Sequence, residues 1–418
     1  MEQQKKCVFN DVRSNFILKK IFHDLDKRIY CQIIRYNKNL QKKINIELED
    51  YHQLYKIYSK IELEIIPTSP FIIKEEIIKM NNDRSFYHIH YIYGKNQKSK
   101  KKREPLTRIK IVIDTEFESL KGLFKDCTGI YKFNLLKYKR IDVTDMSEMF
   151  SGCFNMVEIN LPNIKVFNVT DMSSMFAGCK ALEKLDLSNF DTKNVTNMSH
   201  MFEDCENLFE LDISNFNTSK VIYMNSMFYG CINLEKINLS NIDTRNVIDM
   251  GSMFYNCISL EELDLRKLNT ENVVNMRAMF SQCKSLEDIN VSNFKTSKVT
   301  NMSEMFAMCS ELNSLDLSNF VTNKVTNMKD MFKECFNLKK LDISNFNIEN
   351  LENASFMFSV CRSLKELKLP EFSKYPKIKM EQMFAFCNNK LKKDLKNTFK
   401  DIKKEAFAEP KNIAFPLN

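Results

Sequence analysis

The chain holds 418 residues, with 62 Lys+Arg against 54 Asp+Glu, thirteen Cys, seven Gly and no Trp. So few glycines leave little room for a phosphate-cradling loop, and no Ser/His/Asp or paired-carboxylate set stands outside the repeated columns described below, so neither an enzyme nor a cofactor is predicted. The charge is uneven: residues 1–110 carry 24 Lys+Arg and 13 Asp+Glu, which leaves 38 and 41 for the other 308.

The first residues, Met1 to Cys7, lack the apolar core of a secretory signal. No stretch approaches the roughly 18–20 apolar residues of a membrane span, so a cytoplasmic location is expected. Residues 8–65 predict mostly helix, with Ile17, Leu18, Ile21, Phe22 and Leu25 on one face. The string from Ile17 to Leu25 resembles the I-L-x-x-I-F-x-x-L centre of an F-box, without its leading Leu-Pro. That resemblance implies a substrate receptor of a ubiquitin ligase; the plainer reading is a small helical module. Phe86 to Gly94 alternates like a strand, with His88 and His90 on one face and no carboxylate cluster beside them to complete a metal site. The block Lys98 to Arg103 reads as a solvated linker, and no aromatics interleave with it as in a single-strand binder, so no nucleic-acid partner is predicted. Arg108 to Asp114 alternates again and is expected to pair with the first repeat's strand, covering its open edge.

Beyond this point the chain repeats. Met-Phe, followed after two residues by Cys, recurs every 26 residues from Met149-Phe150…Cys153 to Met383-Phe384…Cys387, with Leu123-Phe124…Cys127 as a degenerate first copy. Eleven copies in one frame predict a solenoid, in which each unit packs on its neighbours. In one unit, Met198, Met201, Phe202 and Cys205 fall at i, i+3, i+4 and i+7, predicting a short helix. Asn197 precedes that stripe as a cap, and Asp or Asn fills the same place in most repeats, Tyr223 being an exception. Leu208, Leu211 and Ile213 predict a strand with these side chains inward, and Asn-Thr-Ser-Lys a polar return.

The unit V-T-N-M-S-x-M-F-x-x-C-x-x-L-x-x-L-D-L-S-N-F is similar to the repeats of the BspA-like leucine-rich repeat surface proteins, from about Leu120 to Cys387. The resemblance implies an α/β fold, a right-handed solenoid with a short helix and a short parallel strand per repeat. It also implies adhesion or host contact at a cell surface, reached by another export route, whereas the missing signal favours an intracellular scaffold that contacts a protein partner. The Asn column, including Asn215, Asn293 and Asn345, is displaced here: it precedes the inward Phe or Ile instead of replacing it. The expected organisation is a basic module over 1–104, a capping strand over 105–119, the solenoid over 120–389 and a capping helix and tail over 390–418.

Two sets of residues are candidates for partner binding. Asp186, Asp212, Asp264, Asp316 and Asp342 lie between inward strand positions and so face outward, in a column completed by Asn160, Asn238, Asn290 and Lys368. If the strands form one sheet, that column lines its concave face and suits a basic or polar extended partner; equally, it is what any solvated sheet face requires. Phe209, Tyr223, Tyr229, Tyr255, Arg266 and Lys267 break their columns in the middle repeats and are the residue types that dominate contact hot spots. The cysteine column is read as small buried apolar side chains. Stacked helices stand about 8–10 Å apart, beyond the roughly 7 Å between Cα atoms that a disulfide tolerates, and one thiol per turn makes no tetrahedral metal site. Leu391, Leu395, Phe399 and Ile402 predict a helix that closes the last repeat.

Overall fold

The computed structural model describes residues 40, 42, 61–69, 89–92, 108–113, 119–138, 143–162, 164–399 and 402–409. The F-box-like string, the basic block at 98–103 and His88 lie outside them. Consecutive repeats are joined by parallel bridges 26 residues apart, from Ser119–Asp145 through to Asn353–Lys379. Each bridge uses the column predicted to cap a helix. The capping chemistry is present: Asp145 Oδ1 accepts from Ser147 N–H at 2.8 Å and Asn301 Oδ1 from Ser303 N–H at 3.0 Å.

No helix follows those caps. Met198, Met201, Phe202 and Cys205 are fully buried, as their spacing requires, but His200 and Asp204 have φ of 58° and 52°. A left-handed pair recurs at the matching positions of repeat after repeat, for example Glu304 with Met308 and Phe356 with Val360. A left-handed residue in an L-chain costs roughly 1–2 kcal/mol and cannot continue an α-helix. The segment is a run of tight turns whose backbone bonds divide between two directions. Met201 N–H bonds Met198 O within its repeat at 3.3 Å. Met198, His200, Phe202 and Asp204 instead donate across to Tyr223, Asn225, Met227 and Tyr229 carbonyls, at 3.0, 3.0, 3.0 and 2.7 Å. Gly152, Gly178, Gly230 and Asn256 occupy the second left-handed site, which suits residues without a Cβ clash or with a short polar side chain.

Because turns bond to turns, the repeats stand closer than stacked helices would. The Phe column from Phe150 through Phe202 to Phe358 stacks with centroids 5.4–5.9 Å apart, so the 8–10 Å spacing expected of helices is not found. The eleven cysteines of the column, Cys127 to Cys387, are free and buried. Each of ten thiols donates to the carbonyl of the Phe in the preceding repeat, Cys361 to Phe332 O at 2.9 Å and Cys205 to Phe176 O at 3.3 Å at the extremes. A small apolar side chain would fill the space but leave that second lone pair unused.

The strand side is less regular. β5 (Glu158–Asn160) and β6 (Lys184–Leu185) continue in parallel from β4 (Ile130–Tyr138), β7 (Glu210–Asp212) pairs with β8 (Lys236–Asn238), and β9 (Lys340–Asp342) with β10 (Glu366–Lys368). No strand is assigned at the matching positions 262–264, 288–290 and 314–316. Every paired junction sets opposite charges face to face: Lys132 with Glu158, Glu158 with Lys184, Glu210 with Lys236 and Glu366 with Lys340. Such pairs contribute about 0.2–1 kcal/mol each, and like charges oppose pairing. The alternation breaks where Asp288 follows Glu262 and Ser314 follows Asp288, among the positions where strands are missing. Opposite charge is not sufficient, since Lys184 and Glu210 meet at a junction left out of any sheet.

At the N-terminal end, β1 (Ile61–Pro67) lies antiparallel between β4 and β3 (Ile109–Ile113), with β2 (Ile89–Ile92) on the far side of β3. Residues 61–65 are therefore strand and not the helix predicted through residue 65, because Ile61, Leu63 and Ile65 alternate inward with period two. Within the Arg108–Asp114 stretch Ile109–Ile113 does form a strand, but β1 and not β3 covers the first repeat. At the other end, α1 (Asn389–Thr398) is capped by Asn388, which accepts from Lys390 N–H, and buries Leu391 and Leu395. Phe399 and Ile402 lie past it. The closure is made by the segment after the helix: Gln382 and Phe384 N–H donate to Glu405 and Ala406 carbonyls at 2.9 and 2.8 Å, and Phe407 stacks on Phe384 at 5.2 Å. That segment supplies the carbonyls that a following repeat would have offered.

Candidate interaction surface

Asp186, Asp212, Asp264, Asp316 and Asp342 are all exposed, with Asn238 and Asn290 between them in the same column. Each is held by its own loop. Asp186, Asp212, Asp316 and Asp342 accept from the N–H of Ser188, Ser214, Ser318 and Ser344 at 2.9, 2.8, 2.9 and 3.1 Å, and Asp264 from Arg266 N–H at 3.0 Å. The Ser column beside them is thus a set of donors that fixes the carboxylates. These bonds hold Asp186, Asp212 and Asp316 below the ordinary carboxylate range. The Arg266 guanidinium lowers Asp264 to about 2, and the Lys368 ammonium lowers Asp342 to about 2. The stripe stays ionised well into acid.

Its members are not equivalent. Asp264 pairs with Arg266 at 2.7 Å and Asp342 with Lys368 at 2.8 Å. Asp186, Asp212 and Asp316 have no ion pair among the described residues. A groove of about 660 Å³ runs past Asp316, Ser318, Lys340, Asp342, Ser344 and Lys368, and a smaller one of about 240 Å³ lies between Asn290, Ser292 and Asp316. The expected single concave sheet is not formed. Its strands fall into separate sheets, and the wide helices that would have bent the stack towards them are absent.

The aromatic candidates divide. Tyr229 and Tyr255 are in the turn segments, half-buried and stacked at 4.5 Å with an interplanar angle of 7°, and Gln282 Nε2 donates to the Tyr255 hydroxyl at 2.5 Å. Burial raises Tyr229 above the ordinary phenol range. Phe209 is 48% exposed immediately before β7, and Arg266 is committed to Asp264. No single patch contains all four.

One buried column was not anticipated. Thr192, Thr218, Thr244, Thr270, Thr296 and Thr322 are buried. Thr270 donates to Lys295 O at 3.0 Å and accepts from Lys295 N–H at 2.7 Å, so one hydroxyl satisfies a whole peptide of the next repeat. The displaced Asn column keeps a carbonyl-bonding role: Asn293 Nδ2 donates to Leu265 and Leu268 carbonyls at 2.9 and 2.7 Å. The signal for the threonines was their recurrence at one place in nearly every copy, read as a polar return because polarity alone does not reveal burial. Among the described residues, no group of three or more His, Cys, Asp or Glu could hold a metal ion, and no helix is long and apolar enough to cross a membrane.

Fold and surface together define a repeat protein of 26-residue period, with short strands and little helix. The chain belongs to the family described as Mycoplasma protein of unknown function, DUF285, whose model matches residues 118–231, 204–290 and 276–398. No curated protein and no solved structure gave a match.

Proposed function

We propose that the repeats wind into one solenoid, as the BspA-like resemblance implies, and that it serves as a non-enzymatic interaction module for a protein partner. The partner segment is extended and basic or polar, and it lies along the outward strand face. The observation that carries this reading is the acceptor column from Asp186 to Asp342, exposed and held ionised by its own loops. Asp212 and Asp316 anchor it because neither has an ion pair among the described residues, whereas Asp264 and Asp342 are partly neutralised by Arg266 and Lys368. The turn side supports the division of labour, since its backbone donors are used between repeats and its Met, Phe and Cys side chains are buried.

A labelled oligo-arginine peptide titrated onto the full chain tests the reading. Binding should weaken as salt rises, because exposed charges are screened over about 8–10 Å at ordinary ionic strength. Asp212→Lys combined with Asp316→Lys should weaken it by about tenfold or more while the melting temperature barely moves, as for surface changes generally. Equal affinity of the double variant and the native chain would reduce the stripe to a solvated face.

A further inference from the structure

On another side of each repeat, the residue after the inward Val forms a column that the interaction surface above does not use, exposed at Thr144, Thr170, Ile248 and Val274 and half-buried at its other members. It runs as three Thr ending at Thr196, then Ile222, Ile248 and Val274, then Thr300 and Thr326. Backbone bonds hold it in even register: Ile222, Ile248, Val274 and Thr300 N–H each donate to the preceding member's carbonyl at 2.8–3.0 Å. Ile248 and Val274 remain 38% and 42% exposed, as does the adjoining Tyr223 at 44%. The flanking hydroxyls are already committed: Thr196, Thr300 and Thr326 donate to carbonyls of the repeat before at 3.1, 3.3 and 3.4 Å. The strip therefore presents β-branched side chains without unpaired donors, and exposed apolar strips of this kind mark association surfaces.

Its order of residues says which partner fits. Read in either direction from Ile248, the column gives an aliphatic residue and then threonines: Ile222 matches Val274, and Thr196 matches Thr300. We propose that this strip is the interface of a two-fold homodimer, with two copies packed antiparallel about Ile248. A two-fold contact is made by one patch on itself, and only a second copy is certain to carry the same step between side chains. Neighbouring charges agree with that register. Lys220 and Lys298, bonded to Asn194 and Asn272 of their own chain at 2.7 and 2.6 Å, would face Asn272 and Asn194 of the second copy and not another Lys. Asp249 would meet itself, but each carboxylate is bonded by its own Gly251 N–H at 2.8 Å and Asn275 amide at 3.0 Å. Seven steps of about 4.8 Å make a strip roughly 34 Å long, and four extended residues about 13 Å wide, or about 440 Å² per copy. A total of about 900 Å² falls below the range of stable interfaces and among the weak, transient ones, so the dimer should be weak.

Sedimentation equilibrium of the full chain should give a monomer–dimer equilibrium. Ile248→Lys, which sets two ammonium groups against each other on the axis, should weaken it by about tenfold or more, whereas Ile248→Val should not. A second test does not depend on that variant folding well. Under mild oxidation with the native chain as control, Thr196→Cys mixed with Thr300→Cys should cross-link, and Thr196→Cys alone should not. The proposal is overturned if the native chain is monomeric at every soluble concentration, or if Ile248→Lys associates as the native chain does. Self-cross-linking of Thr196→Cys as efficient as the mixed pair would equally overturn the antiparallel register.

Discussion

The two sides of each repeat differ in what they give up to hold the stack. On the turn side, N–H groups, thiols and Phe rings all reach the neighbouring repeat, and the contact is unbroken from Leu120 to Ala406. On the strand side, backbone pairing covers only some junctions, and Leu185, Ile237, Leu263, Ile289, Leu315 and Leu367 are only partly buried. Cohesion therefore sits in the turns, so the strand face can vary its residues without loss of the stack. The sequence variation follows that division: the Met-Phe-x-x-Cys core is held from copy to copy, while Lys, Glu, Asp and Ser exchange across the strands.

The largest test of this contrast is alkaline. Burial pushes ten of the column's thiols upward, to about 12 for Cys231, Cys309 and Cys387. Above the ordinary thiol range the unfolded chain loses protons that the folded chain keeps. Stability is thus complete below the unfolded value and falls as pH rises towards the folded one. Each thiol contributes about 1.4 kcal/mol per pH unit in that window. Denaturant midpoints should drop steeply from about pH 9, and a flat profile to about pH 11 would break the claim that the thiols are sealed. Labelling of the thiols from Cys127 to Cys387 at neutral pH should likewise proceed only after unfolding.

Smaller effects separate the two sides directly. Phe254→Ala should cost about 3–5 kcal/mol by chemical denaturation, and Leu263→Ala on the strand side clearly less, since it is only partly buried. Hydrogen exchange should rise first near Phe254 and later at Met149, because repeats contact only their neighbours; uniform acceleration would contradict that. Thr270→Val should cost about 1–3 kcal/mol, the range for leaving a buried peptide unsatisfied. Asp212→Ala removes one exposed bond to Ser214 and should change stability by about 0.5 kcal/mol or less. If Asp212→Ala proves as costly as Thr270→Val, the strand face is structural after all.

The period, the buried columns and the outward acidic stripe were legible in the chain, because a residue repeated at one step in a regular stack must meet the same surroundings each time. The bonds of Asp145 and Asn301 to the N–H two residues on were legible as well, since Asx side chains do this at the start of a helix or a turn alike. The helix was not there to be found. Apolar residues at i, i+3, i+4 and i+7 describe a face and do not distinguish an α-helix from successive turns that point the same side chains inward. Glycine at 152, 178 and 230 hinted at the left-handed positions, but Val360 and Phe386 in the same column hid the rule. Those backbones are tolerated only because their N–H groups bond the next repeat, a partner that exists after stacking and not before. The same reason governs the thiols, the buried Thr hydroxyls and the closing strand β1. Sequence determined which side chains turn inward, and tertiary contact decided which backbone groups they and their neighbours would bond.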